Sequence, residues 1–195
     1  MSVGLYDEAL TNKIKNWLGN SQITLTSPDE TKRMFEIIAD KNNDKPIALP
    51  MICLRRTAGY NVLHTTKDPK SYDGFTTSLT FERSIQLNVI PISIDYQMDI
   101  YTRYFSEADE YARNIVFNLI NYPKLTVEIP YRDQGLSHES NVFMASEVAD
   151  NSSIPERLVP GQFTRLTLKL NVPDAYLFDV RIRDNISIEA DTVEV

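Results

Sequence analysis

Catalytic chemistry in this chain would have to start from two histidines, His64 and His138, and one cysteine, Cys53. The histidines stand in separate polar stretches, and a histidine-centred metal site would need carboxylates carried to them by the fold. The plainer expectation is two exposed loop histidines. Cys53 lies inside the apolar run Ile47-Ala-Leu-Pro-Met-Ile-Cys-Leu54. A thiol there, with no base beside it, reads as a buried packing residue rather than a nucleophile. Asp95 and Asp99 invite an acid–base reading. Four residues apart on an extended segment, they stand about 13 Å apart at strand rise, too far for a paired-carboxylate site. A solvated polar face is the expected account of both. Arg181 and Arg183 share one side of an alternating segment beside Asp179, and read as salt-bridge partners within the sheet or as solvated side chains, ahead of pairing with carboxylates of another subunit. Arg55 and Arg56 close the apolar run and point towards a cleft or a subunit contact. The chain has no phosphate-binding glycine-rich loop, no Gly-x-Ser-x-Gly elbow and no His-Glu-x-x-His. The expectation is no catalysis, no cofactor and no bound metal.

The elements that would position these residues are legible from periodicity. Ile92, Ile94, Tyr96, Met98 and Ile100 alternate with Ser93, Asp95, Gln97 and Asp99, the pattern of a strand with one buried and one wet face. A helix follows, with Ser106 as its expected N-cap and Glu107 and Asp109 in its first turn. Ala108, Tyr111, Ala112, Ile115, Val116, Leu119 and Ile120 make one apolar stripe, and Asn121-Tyr-Pro123 ends it. Leu125 to Ile129 alternates again as a strand. Upstream, Leu5 to Leu18 reads as a helix closed by Gly19, with Asp7 and Glu8 near its start. Ser27-Pro-Asp-Glu30 carries a capping-box helix start, with the helix running to about Ala39. Ile47 to Arg56 reads as a strand buried on both faces, with Pro50 marking a bulge or an edge. Leu79 to Val89 reads as a further extended piece. Phe163 to Val172 and Tyr176 to Ile182 read as two late strands. Residues 58–80 and 131–162 keep no period and read as long loops or arms.

The sum is a single α+β domain over residues 1–195, with an antiparallel or mixed sheet and helices packed on one face. A hydrophobic share of 42% supports a real core and a charged share of 24% is ordinary for a globular protein. A formal net charge of -7 argues against general electrostatic binding of nucleic acid or an anionic membrane. No apolar run reaches the roughly 18 residues of a membrane span. The amino-terminal residues lack the basic start and apolar stretch of a secretory signal.

One stretch carries a resemblance. Pro91-Ile-Ser-Ile-Asp-Tyr-Gln-Met-Asp-Ile-Tyr-Thr-Arg103, followed by Ser106-Glu-Ala-Asp-Glu-Tyr-Ala-Arg113 and a helix ending at Asn121-Tyr-Pro123, resembles the core of neck and tail-terminator proteins of tailed bacteriophages. Leu5-Tyr-Asp-Glu-Ala-Leu10 and Ile47 to Arg55 look like parts of similar virion proteins. The resemblance covers roughly a fifth of the chain, on the span just quoted. It implies a structural virion protein assembled in the host cytoplasm: a ring subunit, hexameric by analogy, that caps the tail and joins it to head-side connector proteins. Tail tube and sheath proteins are the other implied partners, with DNA passing through the ring without sequence-specific binding. The competing readings are another tail or baseplate component, a monomeric binding module, and an enzyme whose site is assembled from scattered carboxylates. On the ring reading, residues 58–80 and 131–162 are contact arms, the alternative being that both fold back on their own sheet. Tyr60, Val62, Leu63, Tyr72 and Phe75 anchor the first, and Leu136, Val142, Phe143 and Met144 the second. Arg55, Arg56, Arg181 and Arg183 join Tyr60, Tyr72, Phe75, Phe143 and Met144 as candidate subunit contacts.

Overall fold

The computed structural model describes residues 2–19, 24–31, 49–57, 59–63, 70–78, 81–131, 134–152 and 163–178. Its organising element is β5, Phe81–Thr102, which continues the expected strand at Ile92–Thr102 upstream through the extended piece before it. Val89, Ile92 and Tyr96–Tyr101 each pair on both sides. One flank of β5 takes β4 (Lys70–Ser78), β3 (Asn61–Val62) and β2 (Met51–Arg56) in succession. The other flank takes β9 (Thr164–Phe178). β1 (Thr24–Thr26) adds to β2 in parallel, which makes the sheet mixed. β7 (Gln134–Asn141) joins β4 and carries β6 (Lys124–Tyr131) as a hairpin partner, while β8 (Phe143–Asp150) pairs with β9. The described residues thus hold nine strands in an α+β arrangement.

Both long helices lie against the even-numbered face of β5. Helix α1, Ser2–Leu18, buries Tyr6, Leu10 and Ile14, one residue per turn. Gly19 follows at φ 59°, where a side chain would be strained, and its N–H reaches Lys15 O at 3.2 Å. Because the helix begins at Ser2, Asp7 sits in its second turn rather than near its start, and it is buried. Helix α2, Phe105–Asn121, buries Ala108, Ala112, Ile115 and Leu119. Tyr96, Met98, Ile115 and Leu119 share one core with Leu166, Leu168, Leu170 and Val172 of β9, as the strand–helix pattern predicts. The apolar stripe is narrower than expected, since Ile120 is 69% exposed. The N-cap of α2 is Tyr104, in extended conformation, so Ser106 is already inside the first turn and does not cap. The Ser27 capping box is present. Ser27 N–H donates to Glu30 Oε2 at 2.9 Å and Glu30 N–H to Ser27 Oγ at 3.4 Å. The helix expected from there to Ala39 lies outside the described residues past Thr31.

Three expectations give way. Residues 58–80 are not a structureless arm, because β4 pairs with β5 over nine positions, from Lys70↔Val89 to Ser78↔Phe81. Residues 131–162 contain β7 and β8. Over the described residues the two late strands run as one, β9, whose register against β5 slips between Ile92↔Ala175 and Ile94↔Val172, and the end of the second, residues 179–182, lies outside the described residues. Pro173 and Asp174 together oppose Ser93, one residue more than the ladder needs, which suits a proline with no N–H to give it. The expected strand at Ile47 starts only at Met51, after Pro50, and is buried over Met51–Leu54 on both faces. No helix among the described residues is long and apolar enough to cross a membrane.

Candidate functional site

The odd-numbered face of β5 meets β2 and β9 in a polar network centred on Asp99. The register sets Asp99 between Cys53 and Thr167, with Gln97 between Arg55 and Lys169. Asp99 is fully buried, which corrects the expected solvated face. Its Oδ1 accepts from Thr167 Oγ1 at 2.7 Å, from Arg165 Nε and Nη2 at 3.2 Å each, and from Gln97 Nε2 at 2.9 Å. Its Oδ2 pairs with Arg55 Nη2 at 3.1 Å. Arg165 is itself buried and lies over the Tyr101 ring at 5.6 Å. Met51, Cys53 and Tyr101 form a small apolar cluster beside this network, so Cys53 is buried as expected. Asp95, half-buried, accepts from Asn171 Nδ2 at 2.7 Å and Asn61 Nδ2 at 3.4 Å. Both carboxylates are engaged by neutral amides or cations, and Asp99 is closed off from solvent. This network ties three strands together.

A second polar node joins α1 to the other face. Tyr96 OH donates to Asp7 Oδ1 at 2.8 Å, and Arg56 Nη2 lies 3.3 Å from Asp7 Oδ2, as an ion pair without hydrogen-bond geometry. Burial pushes the Asp7 carboxyl up, against the Tyr96 hydrogen bond and the Arg56 charge, which act the other way. Burial, with the Asp7 charge, also pushes the Tyr96 phenol up. Arg55 and Arg56 therefore pair within the chain, one on each face of β2.

His138 corrects another expectation. It lies in β7, buried, with its ring edge-on to Tyr6, Tyr176 and Phe178 at 6.3, 5.1 and 5.8 Å. Its Nε2 is 3.0 Å from Ser140 Oγ and 3.3 Å from Asp174 O. The bulged Asp174 also uses its carboxylate to take the Asn141 N–H at 3.0 Å and Nδ2 at 2.9 Å. Burial holds the imidazole below its ordinary value, and the nearby Asp174 and Glu139 only partly oppose this. The sign follows. Below about pH 6.5 the unfolded chain takes up a proton that the folded chain resists, so acid removes stability until the folded value is passed. We expect His138→Gln to flatten the fall in urea midpoint between about pH 7 and 5. An unchanged slope would place the acid sensitivity elsewhere.

The other candidate residues are scattered. Tyr60 is exposed beside β3, while Tyr72 and Phe75 belong to β4. Phe143 is exposed at the start of β8, and Met144 next to it packs on the core. His64, Arg181 and Arg183 lie outside the described residues. What the periodicities miss is surface. Tyr104, Phe105, Phe117, Ile120 and Tyr122 stand exposed on or beside α2, with Phe117 65% exposed. Tyr60, Val62, Leu63 and Ile90 make a separate exposed group around β3, where Leu63 N–H reaches Pro91 O at 3.0 Å. Phe117 sits nearly opposite the buried row Ala108, Ala112, Ile115 and Leu119 on the helix, and a helical-wheel count finds it at once. No family model matches the chain, and a comparison with curated proteins found no match.

Proposed function

We propose that this chain is a structural subunit of a homo-oligomeric ring in a tailed-bacteriophage particle, the tail terminator or neck ring that caps the tail and meets the head-side connector. The observation that carries the oligomer is the pair of separate exposed apolar groups, Phe117 with Ile120 on α2 and Tyr60, Val62, Leu63 and Ile90 around β3. A closed ring is built from head-to-tail contacts, which need two different patches on each subunit. Each large apolar side chain left in water forgoes about 1.5–3 kcal/mol that burial would supply. The resemblance at Pro91–Arg103 and Ser106–Arg113 supports the place in the particle. The closed Asp99 network supports a structural rather than a catalytic role.

Mass photometry of the purified protein, alone and with tail ends, tests the ring. A six-fold mass is expected, and Phe117→Asp with Ile120→Asp should return it to the single-chain mass while the thermal midpoint holds. A parent protein that stays single-chain under both conditions would sink the ring. Antibody labelling of purified particles tests the location, with label expected at the head-proximal end of the tail and label at the baseplate counting against it.

A further inference from the structure

Strand β6 presents an edge whose charge pattern is complementary to itself. Among the described residues β6 pairs only with β7. Val142 N–H reaches Pro123 O at 2.8 Å, which assigns Pro123 and, by alternation, Leu125, Val127 and Ile129 to the β7 side. Lys124, Thr126 and Glu128 therefore turn their backbone N–H and C=O groups outward, and Pro130, next in that row, has no N–H to offer. The three outward residues are exposed, whereas Leu125, Val127 and Ile129 between them are buried. Lys13 Nζ donates to the Lys124 carbonyl. A groove of about 540 Å³ lies between β6 and the α1 flank of Leu5, Ala9 and Asn12. Glu128 forms no ion pair among the described residues. Lys124 is paired with Glu139 at 2.8 Å, with both side chains largely in water.

A row that runs cation, hydroxyl, anion matches its own reverse. Two copies of β6 laid antiparallel about Thr126 set threonine against threonine, and each Lys124 against the other copy's Glu128. Every one of these positions has its main-chain groups facing the seam. Opposite charges directly across a sheet stabilise it, threonines pair well there, and like charges oppose it. Sliding one strand by two residues sets Lys124 against Thr126, or Thr126 against Glu128, and leaves no lysine–glutamate pair. A strand of uniform charge would match one end of the row and be repelled at the other. We infer that β6 pairs with β6 of a second copy, antiparallel about a two-fold axis at Thr126, as one sheet continued across two chains. Lys13 then releases the Lys124 carbonyl to the Glu128 N–H of the other copy. Lys124 keeps Glu139, since an ammonium has donors for both carboxylates. This joint closes between two copies and uses neither exposed apolar group, so it goes beyond the ring reading and does not depend on it. A row this short makes a contact of the weak class, formed in concentrated protein.

Cross-linking of the full chain at micromolar concentration tests it. Thr126→Cys protein is treated with a short bismaleimide and run on a denaturing gel. Cys53 is buried, and the parent protein serves as the control. A two-chain product is expected. Adding Lys124→Glu alone, or Glu128→Lys alone, should remove it, because each sets two like-charged pairs across the seam. Mixing these two proteins, one with a size tag, should restore a tagged–untagged product, because both pairs are then opposite again. No product from Thr126→Cys, a product indifferent to either reversal, or no recovery on mixing overturns the inference. Hydrogen exchange on the unmodified protein checks it without any substitution. The Thr126 and Glu128 amides should exchange more slowly as concentration rises, and an exchange rate independent of concentration overturns the joint. A six-fold mass without the cross-link sinks this joint and leaves the ring standing. A cross-link in particles never larger than two chains sinks the ring and leaves the joint.

Discussion

Asp99→Ala is expected to lower the unfolding free energy by about 3–5 kcal/mol, because it strands a buried arginine. Arg165 donates twice to Asp99 Oδ1 and is almost as buried as the carboxylate itself. Thr167 and Gln97 lose their acceptor in the same step. Arg55 reaches the same carboxylate, yet its side chain is 37% exposed. Water can take over its charge, so Arg55→Ala should cost no more than about 1 kcal/mol. The contrast separates a buried ion from a rim ion on one acceptor. A cycle with Asp99→Leu and Arg165→Leu completes the test. The double variant should be markedly less destabilised than the two single effects added, since neither charge is then left alone. Urea unfolding at neutral pH measures all of these. An Asp99→Ala loss below about 1 kcal/mol would mean the network is relaxed or hydrated rather than closed.

The Asp99 network was hidden in the sequence for a physical reason. A period-two count sees Asp99 as one more polar residue on a wet face, and nothing local announces Arg165 or Thr167. Their meeting depends on the β5–β9 register, which sets Asp99 opposite Thr167. β7 was illegible for a related reason. In Ser137-His-Glu-Ser-Asn141, burial alternates strictly, with His138 and Ser140 inside and Ser137 and Glu139 outside. The inward residues are polar, so a hydropathy pattern reads a loop. They are tolerated because Asp174 O and the three rings around His138 receive them. Pro173 and Asp174 at the bulge interrupt the apolar alternation of β9, which is why one strand reads as two. By contrast, Ile92–Ile100 and Ala108–Leu119 were legible because their inward residues are apolar at the period of their own element. The exposed Phe117 and the edge of β6 left unpaired among the described residues carry signals too. A hydrophobic residue off the apolar stripe is one. An alternating segment with a charged outer row is the other.

Leu119→Ala is expected to cost about 2–5 kcal/mol, and Ile120→Ala, its neighbour, no more than about 0.5 kcal/mol. Consecutive helix positions are about 100° apart, so the two side chains enter different surroundings. Leu119 sits in the core with Ile115, Tyr96 and Met98, where its removal leaves a cavity between α2 and β5. Ile120 is mostly in water, and its removal leaves none. The two variants should exchange rank in assembly. Ile120→Ala should weaken the proposed ring at unchanged subunit stability, because its side chain belongs to the surface a neighbour would cover. Leu119→Ala should weaken the ring only as far as it lowers the folded fraction. Thermal and urea unfolding give the first ranking, and mass photometry across a dilution series gives the second. If Ile120→Ala destabilises the isolated subunit as much as Leu119→Ala does, the outer face of α2 is already covered within the chain, and it offers no surface for a neighbour.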